Sequence, residues 1–230
     1  MNLPSLSVRP AAALASLVLA WSAPPARAAE SVAEYPFTGD SLASTDASPN
    51  TAASDLELSG AWQFLPDVTA PAASPSLGIS AALLPGSLVT TLYLGFTVTA
   101  EPGFTLDLAE LNFLFAAWDG GPAADVPFEG SWVLRSSVDF FASDIASGSA
   151  GTGGAQDFSL VNVPLGQPQF ASLGTIEFRL FAFGNGTPQG LLEFDNVELV
   201  AAVVPEPATP ALLLAGAGAC WLLRRRRARR

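Results

Sequence analysis

The side chains that most enzymes use for catalysis are nearly absent from this chain. Its 230 residues include no histidine, its ten basic residues are all arginine, and its single cysteine is Cys220. Imidazole is the commonest general base and transition-metal ligand, and thiolates and lysine amines are common nucleophiles. The composition therefore excludes the usual zinc sites, Ser-His-Asp triads, cysteine nucleophiles and Schiff bases.

Carboxylates are the class of catalytic side chain that the chain holds in number. A pair of them can cleave a glycosidic bond. In so acidic a chain two carboxylates often lie close together by chance, so abundance singles out no pair. The prediction is that no residue is catalytic, and a carboxylate-pair glycoside hydrolase remains the alternative. Its candidates are Asp119, Asp125, Glu129, Asp139, Asp144 and Glu193.

Three tryptophans are the candidate platforms for stacking sugar rings: Trp62, Trp118 and Trp132. Aromatic rings stack on the apolar faces of pyranose rings, while acids and amides bind the hydroxyl groups. Tryptophans in a β-sandwich also fill its core, and this alternative stays open. Trp118 stands out because Asp119-Gly120-Gly121 follows it and indicates a loop.

The elements that would position these residues have strand character. Val, Thr, Tyr and Phe enrichment, period-two alternation and turn signals predict about eight strands with no clean helical period. We expect an all-β fold, an antiparallel β-sandwich of jelly-roll type. Seven strands are predicted near residues 88–99, 104–108, 111–118, 131–141, 158–163, 176–183 and 191–200, and two further patterned pieces lie near residues 35–37 and 55–65.

The alternation also assigns faces. Leu106, Leu108, Ile176, Phe178 and Leu180 should point into the core, and Arg179 should point away from it and pair with an acid. Small and polar residues predict loops over 41–54 and 70–85, and the glycine-rich stretch 148–154 is also predicted to be a loop.

Both ends of the chain carry apolar segments. Arg9, the apolar stretch 11–21 and Ala26-Arg27-Ala28 predict a signal peptide over residues 1–28. At the other end Pro205-Glu206-Pro207 precedes an apolar stretch over 208–223, which predicts a transmembrane helix about 24 Å long. A basic stop follows on the cytoplasmic side, formed by Arg224, Arg225, Arg226, Arg227, Arg229 and Arg230.

These three C-terminal parts, in this order, resemble the PEP-CTERM sorting signal of Gram-negative bacteria. The resemblance implies that Pro205, Glu206 and Pro207 are recognised by an exosortase, a membrane-embedded cysteine peptidase. It also implies transit through the inner membrane to the cell surface or extracellular matrix. The chain then divides into a signal peptide (1–28), an ectodomain (29–204) and a sorting signal (205–230).

The net charge of the predicted ectodomain excludes some classes of binding partner. Between Ala29 and Val204 there are 20 acidic residues and two basic ones, Arg135 and Arg179, a net charge of −18. Such a surface repels nucleic acid and anionic lipid. The domain also contains no cysteine, so its stability comes from its core and not from disulfides.

A short fragment points to calcium. Phe194-Asp195-Asn196-Val197 resembles the closing strand of jelly-roll carbohydrate-binding modules. That resemblance implies that Asp195 and Asn196 ligate a structural calcium ion, with Thr38-Gly39-Asp40 opposite. Calcium takes six to eight oxygen ligands. The alternative, that this pair caps or bulges the strand end, stays open, and no other cofactor is predicted.

The sequence thus predicts an exported, non-catalytic surface or matrix protein. Its expected partners are the exosortase, the membrane through the C-terminal helix, and extracellular polysaccharide or another surface protein. Two alternatives remain: the glycoside hydrolase and a calcium-dependent adhesion module.

Overall fold

The computed structural model describes residues 28–46, 48–65, 75–119, 127–151 and 156–206. One compact unit, Arg27–Val204, is built from two antiparallel β-sheets, which confirms the all-β sandwich. The predicted signal peptide, the C-terminal helix, Pro207 and the arginine stop lie outside the described residues. Among the helices of the described ranges, none is long and apolar enough to cross a membrane.

Twelve strands lie in the described residues. They are β1 (Glu30–Tyr35), β2 (Thr51–Ala53), β3 (Glu57–Ser59), β4 (Gln63–Leu65), β5 (Ser76–Ser80), β6 (Tyr93–Ala100), β7 (Phe104–Trp118), β8 (Glu129–Ser136), β9 (Ala146–Gly151), β10 (Ser159–Pro164), β11 (Thr175–Gly184) and β12 (Leu191–Pro205). Sheet 1 has the order β10-β7-β12-β5-β4, with β1 also on β12. Sheet 2 has the order β2-β6-β11-β8-β9, with β3 also on β6.

The core lies between the two sheets and follows the predicted alternation. The five residues predicted to face inward are all buried: Leu106, Leu108, Ile176, Phe178 and Leu180. Arg179 points outward and forms an ion pair with Glu177 at 2.7 Å, which confirms the prediction made for it. Over residues 176–180 the faces of β11 therefore follow the alternation of residue type.

Some predicted boundaries were wrong. The segments 104–108 and 111–118 form one strand, β7, because no glycine or proline separates them. The segment predicted to start at residue 88 becomes a strand only at Tyr93. The strand predicted to reach residue 141 stops at Ser136, where a 3-10 turn follows over Ser137–Asp139.

Three predicted loops contain strands. Residues 41–54 include β2, residues 70–85 include β5, and the glycine-rich stretch begins within β9. In β9 small residues are required by packing: a Cβ on Gly148 would lie 2.9 Å from the Trp132 ring of the paired strand. The glycine content predicted a loop here, because composition does not show that the Trp132 ring requires a small residue at this position.

Candidate functional site

The chain leaves β8 through a strained connection, residues 137–145, which we call the aromatic loop. Phe140 and Phe141 both have a φ of 60°. This left-handed conformation is rare for bulky residues and costs about 1–2 kcal/mol each. The Phe140 side chain is also 90% exposed. The loop thus combines backbone strain with an exposed apolar ring, and neither feature stabilises the fold.

Hydrogen bonds fix the aromatic loop in place. The Asp139 carboxylate accepts the backbone N–H groups of Ala142 at 3.2 Å and Ser143 at 2.9 Å. The side-chain hydrogen bond with Ser143, followed by these backbone hydrogen bonds, lowers the pKa of Asp139. The N–H of Phe141 donates to the carbonyl of Ser136 at 2.9 Å. Phe140 is therefore presented on an ordered loop, which reduces the entropy that a ligand must remove.

The two arginines of the ectodomain anchor the base of the loop. They are direct cross-strand neighbours on the outer face of sheet 2. Arg135 forms an ion pair with Asp144 at 2.7 Å and donates to the Phe141 carbonyl at 3.1 Å. The Arg179 guanidinium lies 4.0 Å from the centre of the Phe141 ring and 4.6 Å from that of Tyr93. Phe141 is thus held by cation–π contact, whereas Phe140 points to solvent.

A cavity of about 440 Å³ opens beside the aromatic loop. Its volume falls within the range of about 300–1,000 Å³ that is common for small-ligand sites. Two carboxylates, two amides and two serine hydroxyls supply hydrogen-bonding groups of the kind that bind sugar hydroxyls. The lining residues are Ser136, Val138, Asp139, Ser143, Asp144, Ile145, Gln167, Gln169 and Phe170.

The two carboxylates of the cavity are already engaged. Asp139 is held as an anion by its hydrogen bonds, and Asp144 is paired with Arg135. A glycosidase needs one carboxylic acid with a raised pKa, which is the opposite of the shift at Asp139. Within the described ranges, no three Asp, Glu or Cys side chains group closely enough to hold a metal.

The other carboxylate candidates lie elsewhere. Asp119 accepts the N–H of Phe128 at 2.7 Å, Glu129 is exposed at the start of β8, and Asp125 lies outside the described residues. Glu193 is fully buried on the side of β12 that faces away from the core between the sheets.

Glu193 organises a polar cluster on sheet 1. Its Oε1 accepts the indole N–H of Trp118 at 2.5 Å, and its Oε2 accepts the Ser76 hydroxyl at 2.5 Å and the Gln156 amide at 2.6 Å. These bonds connect β12 to β7, to β5 and to the segment before β10. Because the buried carboxylate is satisfied by three donors, the cluster is built for rigidity.

The three candidate tryptophans occupy different environments. Trp132 is 5% exposed, with its ring centre 5.0 Å from that of Phe113, so it belongs to the core. Trp62 is half-buried and donates to the Ser59 carbonyl at 3.1 Å. Trp118 is half-buried at the end of β7. The structure does not bring the three rings together, and sugar stacking on them stays a prediction.

Asp195 and Asn196 lie at an irregularity in β12. Asp195 is 3% exposed and accepts the N–H of Asn196 at 2.7 Å, and Asn196 has a φ of 48°. The core residues are Leu192 and Phe194 before the pair and Val197 and Leu199 after it, so the core-facing phase shifts by one residue. This is the geometry of a β-bulge. Calcium ligation by the pair stays a prediction.

Sequence reasoning missed the aromatic loop because it extended the preceding strand to residue 141. A signal was present. Adjacent residues of a strand point to opposite faces, so the consecutive Phe140 and Phe141 would have placed one ring on the polar face.

The sorting signal begins inside the fold. Strand β12 ends at Pro205, and Val203 is fully buried. Residues 203–227 match the PEP-CTERM protein-sorting motif. This motif indicates an exported protein that passes through the membrane and is processed by an exosortase.

Comparison with solved structures found matches with low TM-scores. The module TmCBM61, in complex with β-1,4-galactotriose, is 11% identical at a TM-score of 0.38, covering 65% of this chain and 90% of that one. The K3 adhesin domain of Lys-gingipain from Porphyromonas gingivalis is 10% identical at a TM-score of 0.40, and the match covers 75% of this chain and 100% of that one. The mannan-recognising module TmCBM27 is 12% identical at a TM-score of 0.37, and the match covers 76% of this chain and 99% of that one. At such low scores these similarities carry no argument about a ligand. No curated protein matches the chain.

Proposed function

We propose that this exosortase substrate is a non-catalytic glycan-binding protein of the cell surface or extracellular matrix. The binding site consists of the Phe140 ring together with the adjacent cavity. Phe140 supplies an apolar face for a pyranose ring, and the amides and hydroxyls of the cavity bind its hydroxyl groups. Sorting through the C-terminal signal brings this site to the compartment where extracellular polysaccharide lies.

One observation carries the proposal: Phe140 is 90% exposed and left-handed on a loop that hydrogen bonds hold rigid. Exposed aromatic side chains on ordered loops are common anchors of binding sites. Retaining an apolar ring in such a conformation has no benefit for the fold, so the benefit is assigned to a ligand.

Charge favours a neutral glycan. The ectodomain carries 20 acidic and two basic residues, and both arginines are already paired. Fields from this surface extend about 8 Å at physiological ionic strength, far enough to oppose a polyanion at the cavity. A neutral polysaccharide encounters no such repulsion.

The contacts of the cavity's two carboxylates support the proposed absence of catalysis. The cavity has two acids: Asp139, whose pKa is lowered by its hydrogen bonds, and Asp144, which forms an ion pair with Arg135. Neither is placed to donate a proton to a leaving group, so the proposed site binds glycan without cleaving it.

The test is a glycan array probed with the full chain purified in mild detergent, with calcium and with chelator. We expect neutral polysaccharides to bind and uronate-containing ones to bind less. An array without any bound glycan would refute the proposal. Release of reducing ends from a bound glycan would instead support the hydrolase, and binding lost with chelator would support the calcium-dependent adhesion module.

A further inference from the structure

The sorting motif has no spacer between it and the folded sandwich. The matched residues start at Val203, whose side chain is fully buried, and the Val204 carbonyl accepts the Thr105 hydroxyl at 3.4 Å. Ala201 is paired with Glu30 of β1. The chain therefore leaves sheet 1 at the residue where Pro-Glu-Pro begins.

This connection sets the distance at which an exosortase works. An extended chain advances about 3.4 Å per residue, so three residues of chain span no more than about 10 Å beyond Val204. A peptidase that encloses Pro-Glu-Pro in its cleft must then touch the end of the sandwich. The fold itself becomes part of the substrate.

The surface that it would touch is defined by the neighbours of the β12 terminus, and we call it the exit rim. It comprises Glu30, Ser48, Asn50 and the turn Glu101–Gly103. Glu30 accepts the Ser48 hydroxyl at 3.1 Å, and the N–H of Glu101 donates to the Asn50 carbonyl at 2.8 Å. The segment 48–50 thus links the two acids of the rim.

The exit rim is acidic and exposed. Both Glu30 and Glu101 are exposed, and Gly103 closes the turn with a φ of 88°. The two arginines of the described ranges lie on β8 and β11, each paired with its own acid. A partner that covers this rim must supply cationic groups.

We propose that the exosortase docks on the exit rim and reads Glu30 and Glu101 in addition to Pro205-Glu206-Pro207. The complementary surface on the peptidase is basic and surrounds the entrance of its cleft. Recognition then requires a folded sandwich, which restricts sorting to chains that have completed folding. This inference depends on the sorting motif and is independent of glycan binding.

The experiment measures processing of the full chain in its host, by the mass shift on an immunoblot after a pulse of expression. The variant carries Glu30→Lys and Glu101→Lys. The matched control carries Glu129→Lys and Asp157→Lys, exposed acids at the opposite end of the strands. We expect the rim variant to be processed about tenfold more slowly and the control at the wild-type rate.

A second variant separates docking from folding. Eight Gly and Ser residues inserted between Val204 and Pro205 remove the need for contact with the rim. In the rim variant this spacer should restore processing, and unchanged thermal unfolding should show that the sandwich is intact. Wild-type processing of the rim variant, or no recovery with the spacer, would overturn the proposal.

Discussion

Phe140 offers a test in which stability and function should change in opposite directions. Replacing it by glycine removes a left-handed strain of about 1–2 kcal/mol. Glycine costs about 0.5–1 kcal/mol in chain entropy. Because the ring is 90% exposed, the burial lost is only about 0.2 kcal/mol. The expected net change is a gain of about 0.5 kcal/mol in the free energy of unfolding.

Phe141→Gly is the matched control. Phe141 has the same φ of 60°, so strain relief and entropy cost are the same as for Phe140. Its ring, however, is half-buried and lies 4.0 Å from Arg179. Losing that burial and the cation–π contact costs about 1.5–3 kcal/mol. Phe141→Gly should therefore be about 2 kcal/mol less stable than Phe140→Gly, whatever the values of the shared terms.

The assay is urea unfolding of the purified full chain, followed by tryptophan fluorescence and compared at constant denaturant slope. Trp132 reports the core directly. Equal stability of the two glycine variants would refute the reasoning, because it would mean that the two rings have equivalent environments. A loss of more than about 1 kcal/mol in Phe140→Gly would likewise show that the ring is needed by the fold.

Three further predictions concern the polar groups. Glu193→Ala should lower the free energy of unfolding by about 3 kcal/mol in urea titrations, because three donors lose their acceptor. The control, Glu129→Ala at an exposed position, should change the free energy of unfolding by less than about 0.5 kcal/mol. Equal changes in the two variants would contradict a stabilising role for the Glu193 cluster. The pKa of Asp139 is lowered in the folded state, so Asp139→Asn should be less stable than wild type at neutral pH. That deficit should shrink as the pH falls below the unfolded value of about 3.9, and a deficit independent of pH would argue against it. Calcium should raise the Tm, and Asp195→Asn should abolish the rise; no rise in the wild type would refute calcium ligation.

The sheet faces were predictable from sequence where residue type alternates, over residues 104–108 of β7 and 176–180 of β11. The positions of the loops were harder to predict from sequence. Gly148 is small because the Trp132 ring occupies the space of its Cβ, and such a contact between strands leaves no local pattern in the sequence. The same limit explains why β9 was read as a loop.

The site was only partly predictable. Trp132 was a candidate because it is a tryptophan. Its burial depends on which face of β8 points into the core, and this face is set by the strands that pair with β8. The consecutive Phe140 and Phe141 argued against a strand, but only the φ of 60° and the 90% exposure identified Phe140 as a candidate site residue, since a phenylalanine at the end of a predicted strand is ordinarily a core residue. Asp139 and Asp144 were candidates because they are carboxylates. Their partners, Ser143 and Arg135, could not be predicted because these contacts depend on the fold of the aromatic loop.

The most direct test of the account is calorimetric titration of the strongest neutral glycan from the array into three full-length proteins. These are the wild type, Phe140→Ala and Leu160→Ala, the last removing an apolar side chain that is 71% exposed on β10 of the other sheet. The account predicts a Kd at least about tenfold higher for Phe140→Ala, because an anchoring aromatic contributes about 2 kcal/mol, and no change for Leu160→Ala. The same Kd for wild type and Phe140→Ala would contradict it.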